Sequence, residues 1–174
     1  MLRDVHNDDI IIYPTDTIYG VGCDATHPET VEKIRRMKQR PSKPLSVIAP
    51  SKKWIYENCY VSRQANYFLK KLPGPYTLIL PLKNTSCVSR PVTKGKQTIG
   101  VRLPQHWICE QVEQYGKPFI TTSVNVSGKP YMKHPKTLSD ELRSFVDIII
   151  DVGKLDNGSS IVYDCTTVSP RRIR

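Results

Sequence analysis

No apolar run in this sequence approaches the roughly 20 residues that a bilayer-spanning helix needs. The longest, "IIIY" near the start and "VDIIIDV" near the end, are strand-sized. The N-terminus "MLRDVHNDD" carries acids and lacks an apolar h-region, so no signal peptide is read. The expectation is a soluble, cytoplasmic chain with no membrane contact. C-x-x-C pairs are also missing. The five cysteines (Cys23, Cys59, Cys87, Cys109, Cys165) are odd in number and widely spaced. That excludes a disulfide framework and a structural zinc site, and leaves buried or incidental thiols. The four histidines are scattered, with no spacing that suggests a metal cage, and are expected on the surface. No G-x-S-x-G surrounds Ser123, so it is no nucleophile elbow. Repeats, linkers and low-complexity tracts are absent, and the 14 prolines sit at element boundaries. Acids are scarce: 26 Lys and Arg stand against 16 Asp and Glu, a net charge of +10. That excess suits a polyanionic partner, nucleotide or RNA or both, or else a plain solvated basic surface.

What is present is enough for one domain with a real core: 174 residues, 39% hydrophobic. A strand is predicted over 9–13, ended by Pro14, which cannot donate to a ladder. "THPETVEKIRRMKQR" reads as a helix with a capping box at Thr26 and Glu29 and with Pro28 in its first turn. Val31, Ile34 and Met37 recur every three residues and mark its core face. "PLSVIAP" is a strand, and "SKKWIYENCYVSRQANYFLKKLPG" is one or two helices. "YTLILPLK" and "TIGVRLP" are strands, separated by a polar loop or weak hairpin, "NTSCVSRPVTKGKQ". "QHWICEQVEQYG" is a helix stopped by Gly116. "PFITTSVNV" is a strand with a polar end. "TLSDELRSFV" is a helix, "DIIID" and "SSIVYD" are strands, and "SPRRIR" supplies a short edge strand. Strands alternating with helices give an α/β protein with a mixed sheet.

Four segments carry candidate chemistry. "MKQRPSKPLSV" packs Lys38, Arg40 and Lys43 around two prolines, with no glycine and no acid between Glu32 and Glu57. A Walker-type phosphate cradle would need glycines. Cations on a stiff turn grip an anion at low ordering cost, although a helix C-terminus favours cations in any case. Lys33 and Arg36 are explained by Glu29 and Glu32 four residues earlier, as exposed helix pairs. In "YPTDTIYG", Thr15, Asp16 and Thr17 follow a strand end, where sites of α/β sheets usually form. Their side chains either bind an amino acid and a cation or cap a turn. In "TTSVNVSG", Ser123 and Asn125 share one face at period two, suited to phosphate or ribose or simply to a polar strand end. In "TIGVRLP", Arg102 is a lone cation in an apolar strand, either solvated or poised to grip a carboxylate or phosphate.

Together these segments resemble the YrdC family, the threonylcarbamoyl-AMP synthases. The resemblance covers residues 10–174. It rests on "YPTDTIYGVG", the K-x-R of "KQR" followed by "PSKPLSV", "LPGPYTLIL", "TIGVRLP", and the S-x-N of "SVN" followed by "VSG". It implies a single YrdC-like domain over 1–174: a twisted mixed sheet, flanking helices and a basic concave cleft, without the additional C-terminal domain of longer members. It implies a nucleotidyltransferase that makes threonylcarbamoyl-AMP and pyrophosphate from L-threonine, bicarbonate or CO2, and ATP. The product feeds a downstream tRNA threonylcarbamoyl transferase.

By the same resemblance, Lys38, Arg40, Ser123 and Asn125 are catalytic. Lys38, Arg40, Lys43, Thr121, Ser123, Asn125 and Arg174 bind ATP, and Thr17, Arg102 and Ser160 bind threonine. No metal site belongs to the protein, and Mg2+ arrives on ATP. Several features depart from the common family pattern. The "PSKPL" turn is one residue shorter than the commoner form, and the wording "RMKQRPSKPLSV" is nearer to the YciO-like branch, which often loses S-x-N, whereas "SVN" is intact here. Ile48 stands where many members have histidine, and Ile161 where "STV" has threonine. The chain stops at Arg174, before the usual glycine, which exposes the last contact to fraying. Two other readings compete with the synthase: a YciO-like nucleotide-binding relative, and a module that binds tRNA or double-stranded RNA in the basic cleft.

Overall fold

Short β-branched runs bounded by proline and glycine form the strands, and apolar residues at helical spacing form the helices that pack against them. The structure is a computed structural model and describes Leu2 and residues 5–174. The strands are β1 (Ile11–Tyr13), β2 (Gly20–Gly22), β3 (Ser46–Ile48), β4 (Tyr76–Pro81), β5 (Thr98–Arg102), β6 (Phe119–Ser123), β7 (Ile148–Ile149), β8 (Ile161–Asp164) and β9 (Arg171–Arg172). The helices are α1 (Pro28–Met37), α2 (Lys52–Asn58), α3 (Arg63–Lys70), α4 (Arg90–Thr93), α5 (Trp107–Tyr115) and α6 (Asp140–Arg143). The strands join edge to edge in the order β7-β1-β2-β6-β3-β5-β4-β8-β9. Three pairs are parallel (β1 with β7, β3 with β5, β4 with β8) and the others antiparallel, so the sheet is mixed and open, as expected.

Alternation along the strands divides the molecule into two sides. Val47, Leu78, Leu80, Ile99, Val101 and Ile120 point to one side, where they meet Val31, Ile34 and Met37 of α1, Ile55 of α2, and Ala65 and Leu69 of α3. That is the main core, and the predicted face of α1 lies in it. The intervening positions point the other way. At one end of this second face Ile11, Tyr13, Ile48 and Phe119 are sealed by Ile108 and Val112 of α5. Ile48 is therefore a core residue. The rest of the face is uncovered and forms the floor of a cleft.

Two glycines permit the close approaches that shape this floor. A Cβ on Gly22 would lie 1.9 Å from the Ile120 carbonyl oxygen, so only glycine allows β2 to lie against β6 there. A Cβ on Gly100 would lie 2.5 Å from Ser46 Oγ, at the middle of the floor.

Several local expectations are corrected. The capping box does not form: α1 begins after His27, without a side-chain cap, and Thr26 Oγ1 donates to Asp24 Oδ1 instead (2.6 Å). The first strand covers 11–13 rather than 9–13. The segment after β4 is no hairpin. It holds a 3-10 turn at Thr85–Cys87 and then α4, which starts with Pro91 in its first turn and buries Val92 and Thr93. Glu32 meets Lys94 at the end of α4 (2.8 Å) rather than Arg36. His106 and His134 act as helix N-caps, accepting from the backbone N–H of Ile108 and Lys136. The five cysteines are free thiols, three of them buried.

Candidate functional site

The cleft encloses a cavity of about 690 Å3. Its floor is a row of small and hydroxyl side chains at alternate positions of five neighbouring strands: Thr121 and Ser123 on β6, Ser46 on β3, Thr98 and Gly100 on β5, Thr77 and Ile79 on β4, and Val162 on β8. Period two accounts for the row, because every second residue faces the same side. The rim carries six cations: Arg40, Lys43, Lys96, Arg102, Lys129 and Arg174. Among the described residues no Asp or Glu lines the cavity. Such a wall concentrates positive potential where water is partly excluded, and it suits a polyanion.

The turn after α1 delivers two of these cations. Lys38 caps the helix, and Gln39 then adopts a left-handed φ of 48° without being glycine. Arg40 Nη2 donates to Pro44 O (2.9 Å), which fixes its guanidinium on the wall, and Lys43 is exposed beside it. Lys38 takes a different place. Its side chain is buried, and its Nζ donates to Ser123 O, to Asn125 O (3.0 Å) and to Asn125 Oδ1 (3.0 Å). Three acceptors match the three N–H bonds of an ammonium, so in this arrangement Lys38 holds the end of β6 from behind and does not line this cavity. Burial, with Arg40 nearby, pushes its pKa down to about 7.

Asn125 is the centre of this knot. Its Oδ1 accepts from Ser123 Oγ (2.6 Å) as well as from Lys38, and its Nδ2 donates to Lys129 O (2.6 Å). The K-x-R and S-x-N motifs, 85 residues apart in the chain, thus form one unit.

On the other side stands Arg102, 7% exposed. Its Nη2 donates to Asp16 Oδ1 (2.8 Å) and Thr17 Oγ1 (3.2 Å). Asp16 Oδ2 accepts from the backbone N–H of Gln105 (3.0 Å), which steadies the pair. Thr17 is buried behind Arg102 and hydrogen-bonded to Thr15, off the cavity wall. Burial lowers the Arg102 pKa and Asp16 opposes that shift. Two buried nitrogens, Arg40 Nε and Arg102 Nε, have no hydrogen-bond partner among the described residues. Such groups are costly unless something accepts from them.

Ser160 and Arg174 close the far end. Ser160 is buried and shares a hydrogen bond with Thr77 Oγ1 (2.8 Å). Arg174 Nε and Nη2 donate to Ser160 O and Ser160 Oγ (both 3.2 Å), and its carbonyl accepts from Val162 N (3.1 Å). The last residue is therefore fastened to β8.

Eight of the ten residues given roles by the resemblance line the cavity; Lys38 and Thr17 stand one layer behind. Sequence reasoning missed Lys96, Lys129 and Tyr131 on the rim and Ser46, Thr77 and Thr98 on the floor. The alternation of small polar residues in "LSVI", "YTLIL" and "TIGVR" was a signal for the floor. The rim lysines lie in loops and carry none.

These features define an α/β protein with a cation-lined cavity, suited to a polyanion, on one face of an open mixed sheet. The chain belongs to the Sua5/YciO/YrdC family, whose model, described as "Telomere recombination", matches residues 4–174. It is 31% identical over 160 residues to the threonylcarbamoyl-AMP synthase of Vibrio vulnificus, spanning 87% of this chain and 85% of that protein. It is 34% identical over 154 residues to the putative threonylcarbamoyl-AMP synthase of Methanocaldococcus jannaschii, spanning 87% and 72%. P. abyssi Sua5 complexed with L-threonine superposes with a TM-score of 0.84 at 31% identity, over 96% of this chain and 50% of that one. E. coli YciO superposes with a TM-score of 0.82 at 29% identity, over 96% and 82%. The chain thus spans half the length of the Sua5 structure it matches.

Proposed function

We propose that this protein is a threonylcarbamoyl-AMP synthase. The observation that carries the reading is the wall: among the described residues, six cations and no carboxylate around a hydroxyl-lined floor, with an arginine already engaged to an acid and a threonine. L-Threonine's amine adds to CO2 and becomes a carbamate. A carbamate oxygen attacks the α-phosphorus of ATP, a new P–O bond forms, and the bond to the β-phosphate breaks with loss of pyrophosphate. The two species that meet in this step, the carbamate and ATP, are both anions, so positioned cations that offset repulsion are the main contribution a protein can make. No protein nucleophile is needed.

In this reading Arg40, Lys43 and Arg174 face the phosphates, with Lys96 and Lys129 adding charge. Ser123, Asn125 and Thr121 donate to or accept from the nucleotide. Arg102 binds threonine's carboxylate, with Thr17 and Ser160 setting its surroundings. Lys38 keeps Ser123 and Asn125 in place. In this reading Mg2+ comes and goes on ATP's own phosphate oxygens. The product is a labile mixed anhydride that a tRNA threonylcarbamoyl transferase consumes in the cytoplasm. No helix among the described residues is long and apolar enough to cross a membrane.

The test is pyrophosphate release from ATP with threonine and bicarbonate each supplied or withheld. Release that needs both is expected. ATP binding with no threonine dependence would replace this reading with a YciO-like one. Steeply salt-dependent binding of tRNA or double-stranded RNA, with no turnover, would replace it with an RNA-binding one.

A further inference from the structure

Arg35 sits on α1 beside Arg36 but turns inward, and its residue is only 3% exposed. Among the described residues no carboxylate lies within ion-pair distance of it. Its guanidinium donates instead to four backbone carbonyls. Nε reaches Pro91 O (2.6 Å) and Nη2 reaches Val92 O (3.2 Å), both in α4. Nη1 reaches Arg40 O (2.9 Å) and Lys43 O (3.1 Å), both in the basic turn. The backbone of Arg35 takes part too, since its carbonyl accepts from Arg40 N–H (3.0 Å). Arg40 is thus held on both sides by one residue, and the turn's inward carbonyls converge on one planar group.

Only arginine suits this position. Its five N–H donors are spread over a rigid plane and it stays charged, whereas lysine's three donors leave a single atom. Burying a cation under a turn that already carries cations is electrostatically unfavourable, and the four carbonyl acceptors offset that cost. Behind an anion site, the charge adds to the field that an incoming phosphate meets.

We propose that Arg35 is a positioning residue for the phosphate-binding turn: it sets where Arg40 and Lys43 stand on the cleft wall without touching the ligand. This rests on the reading of that turn as the site of ATP's phosphates.

The experiment compares wild type with Arg35→Lys, and with Arg35→Ala with and without added guanidinium ion. Four quantities are read: melting temperature, amide exchange of 39–45 in the free protein, ATP affinity by calorimetry, and the kinetics of pyrophosphate release. In both variants the turn is expected to exchange faster while β6 does not. The Kd and KM for ATP rise by about ten-fold or more, since small misplacements of binding groups are that costly. KM for threonine stays put, and guanidinium restores ATP affinity to Arg35→Ala. Unchanged exchange and ATP affinity overturn the proposal. So does an equal rise in KM for both substrates, or a protein that folds only with Arg35, because each marks a merely structural role. Wild type that binds ATP but releases no pyrophosphate overturns the functional reading alone, and exchange and affinity still judge Arg35. If wild type binds no ATP, the functional reading falls and exchange of the turn judges Arg35's hold.

Discussion

At the scale of single residues, the cleft uses buried charge in two ways. Lys38 is a cation taken out of water to hold a strand end. Its pKa is pushed down to about 7 in the folded protein, against an ordinary value of 10.5 in the unfolded chain. Between those values the unfolded chain holds a proton that the folded protein lacks, so this group makes stability rise with pH. Below about 7 both states are charged and the full burial penalty remains. The difference in melting temperature between wild type and Lys38→Met should therefore shift in favour of wild type from about pH 6 to about pH 9. A flat difference would mean that the amine stays charged throughout. Arg102 is a buried cation matched by a buried acid, with side chains 8% and 10% exposed. Arg102→Ala should destabilise by about 3 kcal/mol, because it strands the Asp16 carboxylate. Adding Asp16→Asn should recover part of that stability in a denaturant titration. Threonine-dependent turnover should remain lost in both, which separates the substrate role from the structural one.

At the scale of elements, the floor depends on strands that approach closely, and the two glycines there differ in kind. Gly22→Ala drives a methyl into the Ile120 carbonyl, which belongs to the backbone of β6 and cannot turn away. Gly100→Ala meets the Ser46 hydroxyl, which can rotate. Gly22→Ala should cost about 3 kcal/mol or more and Gly100→Ala about 1, as read from thermal melts. Elements with strong period were legible in the sequence: α1 by Val31, Ile34 and Met37, α5 by its run into Gly116, and β4 and β5 by their apolar alternation. Those set by tertiary contacts were not. α4 is 4 residues long, too short to show a period, and it exists because Val92 is buried and Arg35 binds its carbonyls. Arg35 received no role from the sequence, and its inward turn depends on carbonyls of α4 and of the basic turn. Lys38 was chosen by motif, but nothing local says that its amine turns back beneath β6. The motifs named residues that gather at the cleft; which of them face the cavity and which face each other depends on chain segments far apart.

At the scale of the molecule, charge is segregated. The cleft collects cations on one face of the sheet, while Asp16 beside it is paired with Arg102. A focused field of this kind raises the encounter rate of anions and weakens as salt screens it. The specificity constant for ATP should fall several-fold between about 0.05 and about 0.5 M salt, with a shallower fall after Lys129→Gln. Equal slopes would place the steering charge elsewhere.

The carboxylate-free wall has a further consequence. A surface that offsets the charges of a triphosphate offsets those of its leaving group as well. Inorganic pyrophosphate should therefore compete with ATP and run the reaction backward, regenerating ATP from the acyl-adenylate. Net synthesis then depends on whatever hydrolyses pyrophosphate nearby, and adding a pyrophosphatase to purified protein should lengthen the linear phase of product formation.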